Sequence, residues 1–180
     1  MAWLSPAHYA PGDAELDLLA SIASEGKTSR LYQSLVYEKK LAQSVVAYQA
    51  SKALQSYFTV QVVARPGIDL DTLETAIDEQ LALLRTTAVT KAELARAATS
   101  YEMGFVTRMQ SLERRASLLN GYFASLGDPG WVSRDLARYQ RTTPPGLLEQ
   151  AQKVLTPDAR VILRVVPRSA APSAASGANP

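Results

Sequence analysis

Hydrophobic and polar positions divide the chain into helix-like and strand-like stretches with clear punctuation between them. Met1 to Ser5 reads as a short strand, and Pro11-Gly12-Asp13 as a turn with Asp13 as helix N-cap. Ala14 to Ser24 follows helical spacing through Leu16, Leu19 and Ile22 up to Gly26, and Ser29 to Lys40 restarts a helix. Leu41 to Ser51 and Tyr57 to Arg65 read as strands. In the second, Phe58, Val60, Val62 and Ala64 share one face and Tyr57, Thr59 and Gln61 the other. Lys52-Ala53-Leu54-Gln55 is short enough for a hairpin, so the pair is antiparallel.

After Pro66-Gly67 the period changes. Leu70, Leu73, Ile77, Leu81 and Leu84 make one apolar helical stripe. Thr90-Lys91-Ala92-Glu93 has capping-box spacing and opens a helix to about Met109. Ser111 to Leu126 stays helical until Asp128-Pro129-Gly130, shorter helices cover Val132 to Tyr139 and Pro144 to Leu155, and Val161 to Val166 predicts a closing strand. Strands and helices are grouped rather than alternating. The expected class is α+β, an antiparallel sheet with helices packed on one face.

Composition narrows the picture. The 180 residues are 47% hydrophobic and 20% charged, enough for one globular domain with a true core. The 19 basic and 17 acidic residues are interleaved and leave a net charge of +2, which gives no nucleic-acid footprint. With no cysteine there is no disulfide, thiolate metal site or cysteine nucleophile, and no sign of the redox compartment. No apolar run reaches the roughly 20 residues of a membrane span. Residues 1–167 read as the domain, and 168–180, rich in Ala, Ser and Pro, as linker or disordered tail. Met1 to Ser5 reads as an initiator joined to the middle of a strand, as in a chain cut from a longer polypeptide.

Candidate chemistry is sparse. His8 is the one histidine, in a loop, too little for a catalytic zinc that wants three protein ligands or for a triad. Gly26-Lys27-Thr28 ends like a P-loop, but Ser21 stands where the first glycine belongs and a helix precedes it where a strand should. It reads as a glycine helix stop followed by the cap of the next helix. Asp71, Glu74, Asp78, Glu79, Glu93, Glu102 and Glu113 read as solvated helix faces, as do Glu38-Lys39-Lys40 and Arg114-Arg115. Tyr101, Phe105, Tyr122, Phe123 and Trp131 read as core or interface.

One stretch carries more than composition. Gly26 to Leu35, containing Ser29-Arg30-Leu31-Tyr32, followed by Leu41-Ala42-Gln43-Ser44-Val45, resembles the second homologous domain of pitrilysin/insulinase-type zinc peptidases. Ala64-Arg65-Pro66-Gly67, the capped helix at Thr90, and Leu119-Asn120-Gly121-Tyr122 before Gly127-Asp128-Pro129 agree with it. The resemblance implies a LuxS/mitochondrial-processing-peptidase-like metallohydrolase fold. It further implies a metal-free domain that faces a homologous domain carrying an H-x-x-E-H zinc motif, in the same polypeptide or a partner subunit. The two close around a peptide substrate. Zinc is then expected in the partner domain and none in this chain, which is no enzyme by itself. Many such domains offer an arginine and a tyrosine towards substrate. Alignment through Leu35 and Leu41-Ala42 puts those positions on Val36 and Gln43, which carry neither charge nor phenol. The alternative is a catalytically silent assembly module of the same fold, distinguished by whether an H-x-x-E-H domain lies upstream. The resemblance points to the bacterial periplasm or cell envelope. An isolated copy is expected to self-associate through its sheet edge or apolar face.

Overall fold

The computed structural model describes residues 1–166, so the Ala/Ser/Pro-rich stretch read as a tail lies outside the described residues. Strands β1 (Ala2–Ser5), β2 (Ala42–Ala50), β3 (Ser56–Ala64) and β4 (Arg160–Val161) form one antiparallel sheet in the order β2-β3-β1-β4. The helices are α1 (Asp13–Ser24), α2 (Leu70–Thr86), α3 (Lys91–Gln110), α4 (Leu112–Leu126), α5 (Val132–Gln140) and α6 (Pro144–Val154). The α+β class and the antiparallel hairpin stand as the sequence predicts.

The alternation along β3 decides which side of the sheet is the core. Phe58 and Val60 are buried with Trp3 of β1 and with Val45 and Ala47 of β2, against Leu16 and Leu19 of α1 and Leu73, Ile77, Leu81 and Leu84 of α2. Trp3 also donates its indole N–H to the Thr156 carbonyl at 2.7 Å, which ties β1 to the end of α6. The other face keeps its apolar side chains in water: Leu4 is 73% exposed, Val63 53% and Val46 49%. Helix α1 has buried residues all round, Leu16 and Leu19 in the sheet-side core and Ala14, Leu18 and Ile22 in a second cluster with Val89, Ala97, Tyr139 and Leu147. It is therefore the central helix, sandwiched between the sheet and α3, α5 and α6.

Caps follow the local signals. Thr90 and Glu93 form the reciprocal capping box, Asp69 caps α2 through the Thr72 N–H at 3.0 Å, and Thr143 caps α6. Gly26, at φ +76°, ends the turn after α1, while the Ser29 hydroxyl donates back to its carbonyl at 2.7 Å. That is the glycine stop expected, with no open phosphate cradle.

The structure corrects three expectations. Asp13 is not an N-cap: Gly12, at φ +98°, takes that place and Asp13 is the first helical residue, wholly buried. The helix expected over Ser29 to Lys40 is a π-helix over Tyr32–Glu38, whose wider turn brings Ser34, Leu35 and Val36 inward together. The closing strand is paired only at Arg160–Val161, because a ladder needs a neighbour and the β1 register ends at Ala2↔Val161. The remaining Ile162 to Val166 has strand composition without a pairing partner among the described residues.

Neighbouring residues of β3 test the sidedness directly. Phe58, with no exposed surface, and Tyr57, 40% exposed, sit on opposite faces. Phe58→Ala is expected to cost about 3–5 kcal/mol in urea unfolding and Tyr57→Ala under about 1 kcal/mol. Equal costs would mean that both faces are covered.

Candidate functional site

Three features compete for a functional role: a buried polar network, a cleft beside it, and the uncovered face of the sheet. The network grows from Asp13. Its carboxylate accepts from the Tyr9 backbone N–H at 3.0 Å, the Ser51 hydroxyl at 2.7 Å and Arg138 at 3.1 Å. Arg138 also donates to Asp135 at 3.1 Å, and Asp135 accepts from the buried Tyr122 hydroxyl at 2.7 Å. The guanidinium lies over the rings of Tyr9 and Tyr139, 5.1 and 5.4 Å from their centroids. Its partners come from α1, α4, α5, the end of β2 and the loop after β1. A chemistry that needs a free acid or base finds none here, since each carboxylate is engaged. The network is a strut.

The cleft lies between α1 and α3, about 260 Å³, lined by Asp17, Ser21, Glu25, Ser100, Tyr101 and Arg108 among others. Asp17 accepts from the Tyr139 hydroxyl at 2.7 Å, and Tyr139 stacks on Tyr101 at 3.5 Å between centroids. Burial pushes the Asp17 carboxyl up to about 6; donation from Tyr139 opposes this, and the Asp13 and Asp135 charges add to it. Ser100 donates to Glu25 at 2.8 Å, and Ser21 donates to it as well. These polar groups satisfy one another and leave no oriented nucleophile–base pair.

Among the described residues, no three His, Cys, Asp or Glu side chains come together as a metal-holding set. His8 is exposed in a turn and stacked on Tyr9, with ring centroids 3.6 Å apart. Burial of its ring, partial as it is, lowers its pKa. Val36 is buried among the core side chains, and its carbonyl accepts from Arg65 at 3.0 Å. Gln43 is exposed on β2 at the register shift between Ala42 and Ser44. One side chain therefore points into the core and the other into solvent. The carboxylates read as solvated divide: Glu93 is bound by Arg30 at 2.7 Å and held down to about 2, first by that bond, while Glu74 and Asp78 are partly buried under Arg160 and Arg164. Phe105 and Tyr122 are core, whereas Phe123 is 62% exposed on α4.

Sequence reasoning missed Arg138 and the role of Asp13. A signal was available. Asp13 and Asp17 stand four residues apart on a helix whose apolar residues run all round it, so at least one had to be buried and paired.

What remains is the sheet face carrying Leu4, Val46, Tyr57 and Val63, all exposed, with Tyr48 and Gln61 joined by a hydrogen bond of 3.1 Å between them. These exposed side chains make one side of the sheet largely apolar at its surface, apart from the buried Thr59 among them.

The sequence pattern of the family described as Peptidase M16 inactive domain matches residues 1–101. A curated relative, zinc protease PqqE from Helicobacter pylori, is 26% identical over 136 residues, 76% of this chain; the chain spans 30% of that relative's length. Among solved structures, the inactive peptidase domain of a protein taken to be a zinc protease from Bordetella parapertussis is 25% identical, with a TM-score of 0.80 over 94% of this chain and 92% of that one. A protein from Bordetella pertussis, described only as taken to be a zinc protease, is 25% identical, with a TM-score of 0.78 and 92% of each chain covered.

Two substitutions test the polar groups. Arg138→Met leaves Asp13 and Asp135 without their cation and is expected to cost about 3–5 kcal/mol in denaturant unfolding. Asp17→Asn reads the raised carboxyl. A folded-state value of about 6 against 3.8 means that ionised Asp17 weakens the fold at neutral pH and that stability returns as pH falls through 6 towards 4. The variant is therefore expected to exceed the parent by roughly 2–3 kcal/mol near pH 7.5, with the gap closing by about pH 4. A gap that does not change with pH would refute the assignment.

Proposed function

The chain belongs to the peptidase M16 family as an inactive domain, and from that premise we propose that it is the non-catalytic half of a zinc metallopeptidase. In this reading it walls one side of a peptide-holding chamber, opposite a homologous domain that carries the zinc. The observation that carries the proposal is the bare sheet face of Leu4, Val46, Tyr57 and Val63. A surface of that kind is costly in water and is stabilised by a partner that covers it or by an extended peptide laid along it. Zinc and the activated water would come from the other domain.

In the same reading, Val36 and Gln43 occupy the positions where many family members present an arginine and a tyrosine to substrate. A buried valine and an exposed amide supply neither a cation nor a phenol. This copy would then shape the chamber without assisting the chemistry. The same substitutions favour a second reading, a structural module that has left catalysis altogether. The compartment we propose, on the family resemblance alone, is the bacterial periplasm or envelope. No helix among the described residues is long and apolar enough to cross a membrane.

The purified chain is expected to hold well under one equivalent of zinc by elemental analysis and to leave an unfolded peptide uncut. Adding the zinc-bearing domain from the same protein is expected to raise that domain's peptidase activity. Zinc-dependent cleavage by this chain alone would sink the proposal, and tight association of the two without any activity would favour the structural module. Alone, the uncovered face is expected to drive self-association, seen as an apparent mass that rises with concentration in light scattering. A monomer at every concentration would count against an exposed docking face.

A further inference from the structure

One side of helix α5 stays outside both hydrophobic clusters. Trp131, Arg134, Arg138 and Arg141 follow one another at steps of three, four and three residues, so they share one stripe of that helix. Beside the stripe lies a cavity of about 570 Å³, lined by Trp131, Ser133, Arg134, Ala137, Arg138 and Arg141. The volume is that of a small-molecule site, and the lining has the same character, an apolar floor with a few placed charges. The indole ring, the Ala137 methyl and the aliphatic stems of the arginines make the floor. Every charged side chain in the lining is an arginine.

The three cations are not equivalent. Arg138 is held by Asp13 at 3.1 Å and Asp135 at 3.0 Å, which neutralise it. The Arg134 side chain is 72% exposed, and its carboxylate contact among the described residues is Asp128 at 3.7 Å, too long for a hydrogen bond. Arg141 is exposed and, among the described residues, its guanidinium is in no ion pair. Seven residues separate Arg134 from Arg141, about two helical turns, so the two guanidiniums bracket the cavity. Trp131 is fixed between them and the protein. Tyr9 meets its ring edge-on at 5.4 Å, Tyr122 lies at 6.4 Å, and Arg138 covers it at 6.0 Å. A ring held by three neighbours has little freedom left to lose when a ligand packs on it. A neutral apolar ligand would cover the floor but leave the two guanidiniums without a counter-charge. A small inorganic anion would meet the charges and leave the floor in water.

We propose that this cavity binds an organic carboxylate with an apolar body. Its carboxylate accepts from Arg134 and Arg141, and its hydrocarbon part lies on Trp131 and Ala137. A fatty acid and the carboxy-terminal residue of a peptide share that chemistry. Asp128 is the competitor for Arg134, and at 3.7 Å its hold is loose enough to give way. The site belongs to the helical layer and stands whether or not a zinc-bearing domain packs on the sheet face.

The probes are octanoate and the peptide N-acetyl-Ala-Leu-Leu with a free carboxylate, each paired with its amide as control. Tryptophan fluorescence reads the binding. The chain has two tryptophans and Trp3 is buried in the core, so a response to ligand reports Trp131. At least one acid is expected to saturate the signal, with its amide at least about tenfold weaker. Arg134→Gln and Arg141→Gln, both at exposed positions, are each expected to weaken binding about three- to tenfold, and together to remove it. Saturation by octanoate alone supports the site with a fatty acid as its ligand, and saturation by the peptide alone supports it with a peptide terminus. Should the double variant not fold, the comparison of acid with amide on the parent chain still decides. No saturation by either acid, equal binding of acid and amide, or a folded double variant that binds like the parent would overturn the site.

Discussion

A carboxylate with no exposed surface must be paired, and Asp13 is the residue on which that requirement falls. It stands at the first turn of the helix that lies between the sheet and the rest of the helical layer. Meeting its needs fixes the loop after β1 through Tyr9, the end of β2 through Ser51, and α5 through Arg138. Arg138 then brings in Asp135, and Asp135 brings in Tyr122 of α4. Helices that share little apolar surface with the sheet are thereby held in place by one chain of charge-assisted bonds.

That arrangement has a consequence for the surface. With α1 as a central layer, the helices pack on one side of the sheet, and the apolar side chains they leave exposed, such as Met103 and Phe123, lie on α3 and α4 away from its other face. Leu4, Tyr57 and Val63 alternate with Trp3, Phe58 and Val62, so the period of β1 and β3 that builds the core also builds an apolar face outside it. A domain that folds alone has no use for such a face. A domain that closes against a second half, as proposed for this inactive peptidase domain, would have one.

Most of the fold was legible because it rests on local signals. The alternation in Tyr57 to Arg65, the leucine stripe after Pro66-Gly67 and the Thr90–Glu93 box each act within a few residues, and each element forms where they stand. What sequence could not reach depends on distant partners. Asp13 looks like a cap until Arg138, 125 residues away, is seen to claim it. Val161 to Val166 has strand composition, but strand is a property of a pair, and among the described residues the ladder with β1 extends no further than Val161. The π-helix at Tyr32–Glu38 shows no periodicity distinct from an α-helix over so few residues. The apolar outer face of the sheet was readable only in part, since strand alternation gives two faces without saying which one the helices choose.

The central claim is that the outward face of the sheet is the surface covered by the zinc-bearing half. Hydroxyl-radical footprinting of side chains, on this chain alone and then with that domain present, tests it residue by residue. The account predicts that Leu4, Tyr57 and Val63 lose reactivity on addition of the partner while Phe123 on α4 keeps its own. Unchanged reactivity across the sheet face, with protection confined to the helical side, would contradict it.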